Sequence, residues 1–154
     1  MLSLIDLLRA GTVDLDLAAY LATAVRRGAS FLVGANPGGA GKTTVMGTLL
    51  NFTPPDCRLH AADSGGTIRD ALETPADSKH CYTCHEIGAG PYFAYLWGAE
   101  AREFFALPHA GHMMRPICML TRSKNAGSNC VKTTAWRKMI FAAAISACFS
   151  RCRA

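Results

Sequence analysis

The segment Ser30-Phe31-Leu32-Val33-Gly34-Ala35-Asn36-Pro37-Gly38-Gly39-Ala40-Gly41-Lys42-Thr43-Thr44 changes character twice along its length. Residues 30–34 are a short apolar run, the pattern of a buried strand. Glycines dominate the next positions. From Lys42 to Asn51 the residues Val45, Met46, Leu49 and Leu50 recur at helical spacing. A strand, a glycine-rich turn and a helix are the setting of a P-loop, the Walker A motif. The chemistry explains the residue types. A triphosphate presents crowded anionic oxygens, and glycines let backbone N–H groups converge on them without a Cβ clash. The start of the following helix adds partial positive charge. The reading assigns Asn36, Pro37, Gly38, Gly39, Ala40, Gly41, Lys42, Thr43 and Thr44 to nucleotide binding. Lys42 supplies a point charge to the outer phosphates and Thr43 an oxygen to Mg²⁺, so ATP and Mg²⁺ are the expected ligands. One position departs from G-x-x-x-x-G-K-[ST]: Asn36 stands where the first glycine is usual, and Asn is the side chain that best tolerates positive φ. The bland alternative is a glycine-rich turn that happens to end in Gly-Lys-Thr-Thr.

Upstream, residues 3–9 read as a short helix, Gly11-Thr12 as a break, and 16–27 as a second helix. Asp14 or Asp16 caps that helix and Gly28 follows it. Downstream, Pro54-Pro55-Asp56 is a turn, 58–62 a second strand ending at Asp63, and 67–73 a helix. Residues 74–80 are polar loop, and a further helix centres on 97–105. Strands alternating with helices predict an α/β fold, a P-loop NTPase-like parallel sheet flanked by helices.

With 154 residues, 50% of them hydrophobic and 18% charged, the chain has the composition of one globular domain with a real core. No apolar run reaches the roughly 20 residues of a membrane span, and the N-terminus lacks the basic and apolar regions of a signal peptide. A cytoplasmic location is the expectation. The net charge of +5 is uneven: 8 basic and 11 acidic residues lie up to Met114, and 8 basic with no acidic residue follow from Arg115. The chain therefore divides into a core of 1–114 and a basic, acid-free tail of 115–154.

His80-Cys81-Tyr82-Thr83-Cys84-His85 contains C-x-x-C-H, the pattern of haem c attachment, but that chemistry needs an exported protein. Cys57 and His60 lie upstream of Cys81 and Cys84 at a separation that suits a zinc site, as in a zinc-binding interaction module. If 58–62 is a strand, Cys57 and His60 point to opposite faces, which hinders a shared metal. The favoured reading is an ordinary strand with small, partly buried residues.

Taken together, residues 15–68 resemble the core of the type II/type IV secretion and pilus-assembly ATPases. The run Asp16-Leu17-Ala18-Ala19-Tyr20-Leu21 onward is similar to the helix before their first core strand, and Phe31 to Thr44 to their strand and P-loop. Phe52 to Asp63 is similar to the turn and strand that end in their acidic box. The resemblance implies ATP hydrolysis by a ring-forming homo-oligomer peripheral to the inner membrane, with a membrane secretion or pilus apparatus as partner and nucleic acid not expected. It implies that Asp63 stands at the acidic box near the metal, although Ala62 replaces the acid usual before it. It implies that Glu86, in Cys84-His85-Glu86-Ile87-Gly88, is the catalytic Walker B glutamate, at an interval short for the family. Gly111-His112-Met113 looks like the pair preceding the family's histidine box.

That box does not follow in the present sequence. Codons for 115–123 can be chosen so that, starting one frame over, they read Thr-Asn-Leu-His-Ala-Asp-Thr-Leu. With suitable codons the same frame continues acid-rich through Ile140. A one-base frameshift near Met114 is therefore one expectation, leaving the sheet incomplete at its C-terminal side and hydrolysis impaired. A basic tail binding nucleic acid or acidic lipid is the other. Three functions stay open: an ATPase of the secretion type, a stand-alone P-loop nucleotide-binding protein or small kinase, and the zinc module.

Overall fold

A computed structural model describes residues 2–35, 39–75, 80–90, 92–119 and 139–142. The first two helices, α1 (Leu4–Arg9) and α2 (Leu15–Arg26), begin where side chains take up free backbone donors. Ser3 and Asp6 form a reciprocal capping box, and Asp14 Oδ1 accepts from Leu17 N–H at 2.8 Å. Of the two candidate caps for α2, Asp14 is the one used. The chain then enters β1 (Leu32–Ala35) and, past the glycine-rich turn, α3 (Lys42–Leu50). Next come β2 (Arg58–Ala61) and α4 (Gly65–Glu73), the latter starting two residues before the predicted helix because Ser64 caps it. The last elements are β3 (His80–Ile87), β4 (Tyr95–Leu96), α5 (Gly98–Ala106), β5 (Met113–Met119) and β6 (Met139–Ala142).

The strands form one sheet in the order β2-β3-β5-β1-β6, with β4 attached to β3. The β2–β3, β3–β5 and β5–β1 pairs are all parallel, as the sequence predicts. β6 runs antiparallel to β1, a departure from the all-parallel expectation. Helices cover both faces. On one, Leu7, Leu21, Val25, Val45 and Leu49 of α1–α3 pack with Phe31 and Val33. On the other, Ile68 and Ala71 of α4 and Phe104 of α5 pack with Tyr82, Cys84 and Met114. This is the layered arrangement that parallel strands require, since both sheet faces must be buried. Among the described residues no helix is long and apolar enough to cross a membrane.

The consequence for the site lies in the strand order. β1 and β3 are not neighbours; β5 lies between them. Their carboxyl ends all open on the same edge of the sheet, where the ligands of open α/β sheets bind.

Candidate functional site

The turn after β1 is built to leave backbone donors open. Gly39 and Gly41 have φ of +77° and +89°, conformations that carry a steric cost for any other residue. Gly41 is the N-cap of α3, and no side chain caps the helix there. α1, α2 and α4 each have a side-chain cap, whereas α3, like α5, has none, and among the described residues no capping partner meets the N–H groups of Lys42, Thr43 and Thr44. The first helical bond is Val45 N–H to Gly41 O, at 3.0 Å.

Those residues line a pocket with Gly39, Gly41, His85 and Glu86. Lys42 is 8% exposed and its Nζ lies 3.5 Å from Glu86 Oε2. The other carboxylate oxygen, Oε1, is buried with no hydrogen-bond partner among the described residues. A buried acceptor without a donor is costly, and its usual remedy is a water or a ligand. Cys118, at the end of β5, lies close enough to sense both charges: burial raises its thiol's pKa first, the Glu86 carboxylate adds to that, and Lys42 opposes it. The pocket's lining thus comes from two sides, the turn and start of α3 and the end of β3.

The structure brings together Gly39, Gly41, Lys42, Thr43, Thr44 and Glu86. Ala40 lies within the same turn without lining the pocket, and Asn36, Pro37 and Gly38 lie outside the described residues. Asp63 is not brought in. It follows β2, at the sheet's edge, is exposed, and accepts from Thr67 Oγ1 at 3.1 Å at the start of α4. His112 is also structural: it is 2% exposed, and its Nε2–H donates to Ala71 O at 2.9 Å, tying the start of β5 to α4.

His85 lines the pocket although the sequence reading gave it no such role. Strict alternation along β3 would send His85 and Glu86 to opposite faces. The β3–β5 register shifts between Cys84 and Ile87, and irregularities of that kind re-aim side chains near functional sites. The four zinc candidates are not gathered. His60 Nε2 lies 2.9 Å from His80 Nδ1, Cys57 Sγ donates to Arg58 O, and Cys84 Sγ donates to Glu86 O. Burial pushes the Cys81 thiol up to about 12 and Cys84 to about 11, the behaviour of protonated core thiols. Among the described residues no group of three or more His, Cys, Asp or Glu side chains is arranged to hold a metal ion.

No family model, no curated protein and no solved structure matches the chain.

Proposed function

We propose that the pocket at the start of α3 binds the phosphates of ATP, or of a related nucleoside triphosphate, and that the chain is a P-loop nucleotide hydrolase of the secretion and pilus-assembly type that its sequence resembles. The observation that carries this reading is the buried Lys42–Glu86 pair beside a helix opened by left-handed glycines. Uncapped N–H groups and an ammonium suit a phosphate. A carboxylate with one orphaned oxygen suits a water. The pocket's volume of about 270 Å³ is below that of sites enclosing a drug-sized molecule and suits the phosphates alone.

The residues divide the work. The N–H groups of Lys42, Thr43 and Thr44 hold phosphate oxygens, and Lys42 leaves Glu86 to neutralise the outer phosphates. Glu86, released from Lys42, orients a water for in-line attack and accepts its proton. The Thr43 hydroxyl would hold Mg²⁺ together with the nucleotide, and the ion would supply charge neutralisation.

Titration with MgATP, followed by calorimetry, tests the reading. The native chain binds and Lys42→Ala loses affinity by tenfold or more. Equal binding by both sinks the proposal. ATP-dependent assembly into a ring supports the secretion type over a stand-alone nucleotide-binding protein or small kinase.

A further inference from the structure

We infer that the reading frame is displaced by one base from about residue 115 onward, so that β5 begins in one sequence and ends in another. β5 is the most enclosed strand of the sheet, with β3 on one side and β1 on the other. A strand there must offer a donor and an acceptor at each residue and fill both helical layers. Met113 and Met114 meet that demand. The next two residues do not.

Arg115 is 0% exposed. Its donors reach Thr53 Oγ1, Val25 O at 3.4 Å and Met113 Sδ at 3.7 Å, its guanidinium lies 5.4 Å from the centre of the Phe31 ring, and its Nε has no partner among the described residues. Among the described residues no carboxylate is paired with it. The ionisable groups that act on it are the thiols of Cys81 and Cys57. A guanidinium stays charged, and a buried charge without a counter-charge is strongly unfavourable. Pro116, paired with Cys84, has no N–H to give the ladder, and the β3–β5 register breaks just beyond it. Proline inside a central strand argues against that residue belonging there. Both faults begin where the chain, acid-free since Glu103, turns basic, with 8 Lys and Arg from Arg115 onward.

The genetic code constrains what the other frame says, whichever synonymous codons are used. Read from the third base of the Arg115 codon, the first triplet ends in CC and encodes Ser, Thr, Ala or Pro. The second ends in AT and encodes Tyr, His, Asn or Asp. The third joins the last base of an isoleucine codon to TG and encodes only Leu or Met. The fourth joins the last base of a cysteine codon to AT and encodes only Tyr or His. Laid on β5 from residue 115, this series removes the guanidinium and gives position 116 an N–H for the ladder, with a polar side chain where Pro116 is buried. It keeps an apolar side chain where Ile117 is 1% exposed. It places a hydrogen-bonding ring where Cys118 senses Glu86 and Lys42.

The gene sequence from the codon of His112 to that of Ile140 tests this directly. The displaced frame is expected to run without a stop codon and to encode several acidic residues. A stop codon in that span, or an acid-free translation, overturns the inference. The protein gives a second, independent test. Arg115→Met keeps the length of the side chain and removes its charge, and is expected to raise Tm by about 3 °C or more. An unchanged or lower Tm shows that the guanidinium fits its surroundings and overturns the inference. Nucleotide affinity is read separately, so either failure leaves the P-loop proposal to its own test.

Discussion

Glu86→Gln keeps the shape of the side chain and removes its charge, so it isolates what the carboxylate does to Lys42. Lys42 Nζ and Glu86 Oε2 are 3.5 Å apart, with both side chains 8% exposed. Their attraction is about 5 kcal/mol at an effective dielectric constant of roughly 20, and desolvation offsets most of it. Without the carboxylate the ammonium is buried and unpaired. The resting fold is then expected to lose about 2 kcal/mol, lowering Tm by roughly 6 °C. Binding moves the other way. In the native chain a phosphate must draw Lys42 from Glu86 and approach a carboxylate of like charge, whereas in the variant neither opposes it. A release of about 2 kcal/mol tightens MgATP roughly thirtyfold. Turnover falls by about a hundredfold, because the water loses its base. Thermal melts, calorimetric titration and phosphate release measure the three effects on one preparation. Unchanged or weaker binding in Glu86→Gln refutes the idea that Glu86 holds Lys42 in the resting site.

Gly41→Ala forces an alanine into φ of +89° at the N-cap of α3, and is expected to cost about 1–2 kcal/mol and to weaken nucleotide binding, measured by melts and titration. Acidification is expected to destabilise the β2–β3 edge. Burial first, then the charges of His80, Arg58 and His112, lower the pKa of His60. The folded state therefore binds that proton less readily than the unfolded chain. This contribution to stability is present above about pH 6.5 and is lost as pH falls through that value toward the lower folded one. A melting midpoint followed from pH 7 to pH 5 should fall, with a shallower slope in His60→Asn; identical slopes refute the assignment.

What was legible in the sequence was what local chemistry fixes. Asp14, one of the two caps expected, is the side-chain cap of α2, and the periodicities of 16–27 and 42–51 bury Leu21, Val25, Val45 and Leu49. The start of α4 was less legible because Ser64-Gly65-Gly66 has the composition of a loop, while Ser64 acts as a cap. β4 is only Tyr95–Leu96, too short to show a period. The role of His85 depends on a register shift between two strands, and Asp63's distance from the pocket depends on strand order. Neither property belongs to one segment of sequence. The pairing of Lys42 with Glu86 was not legible, since the two lie 44 positions apart and nothing local links them.

That separation gives β5 a role in the site beyond its own residues. Adjacent strands lie about 4.8 Å apart, so β1 and β3 are held about 10 Å apart by the strand between them. The Lys42–Glu86 distance is therefore set in part by how well β5 pairs with its neighbours. Arg115 and Pro116 sit in that spacer, on the stretch where its register with β3 breaks. The shift that turns both His85 and Glu86 to the pocket is thus adjacent to the residues least suited to the strand. If the displaced frame is restored, a ladder with no proline there is free to close, and the geometry at Glu86 changes with it. The two proposals meet at this point. The half of the site proposed to bind phosphate rests on β1 and α3 and the half proposed to be catalytic rests on β3; β1 pairs with β5 and β6, and β3 with β5, so both halves inherit any fault in β5. A chain whose MgATP affinity and turnover both rise when the frame is restored is the behaviour this arrangement requires.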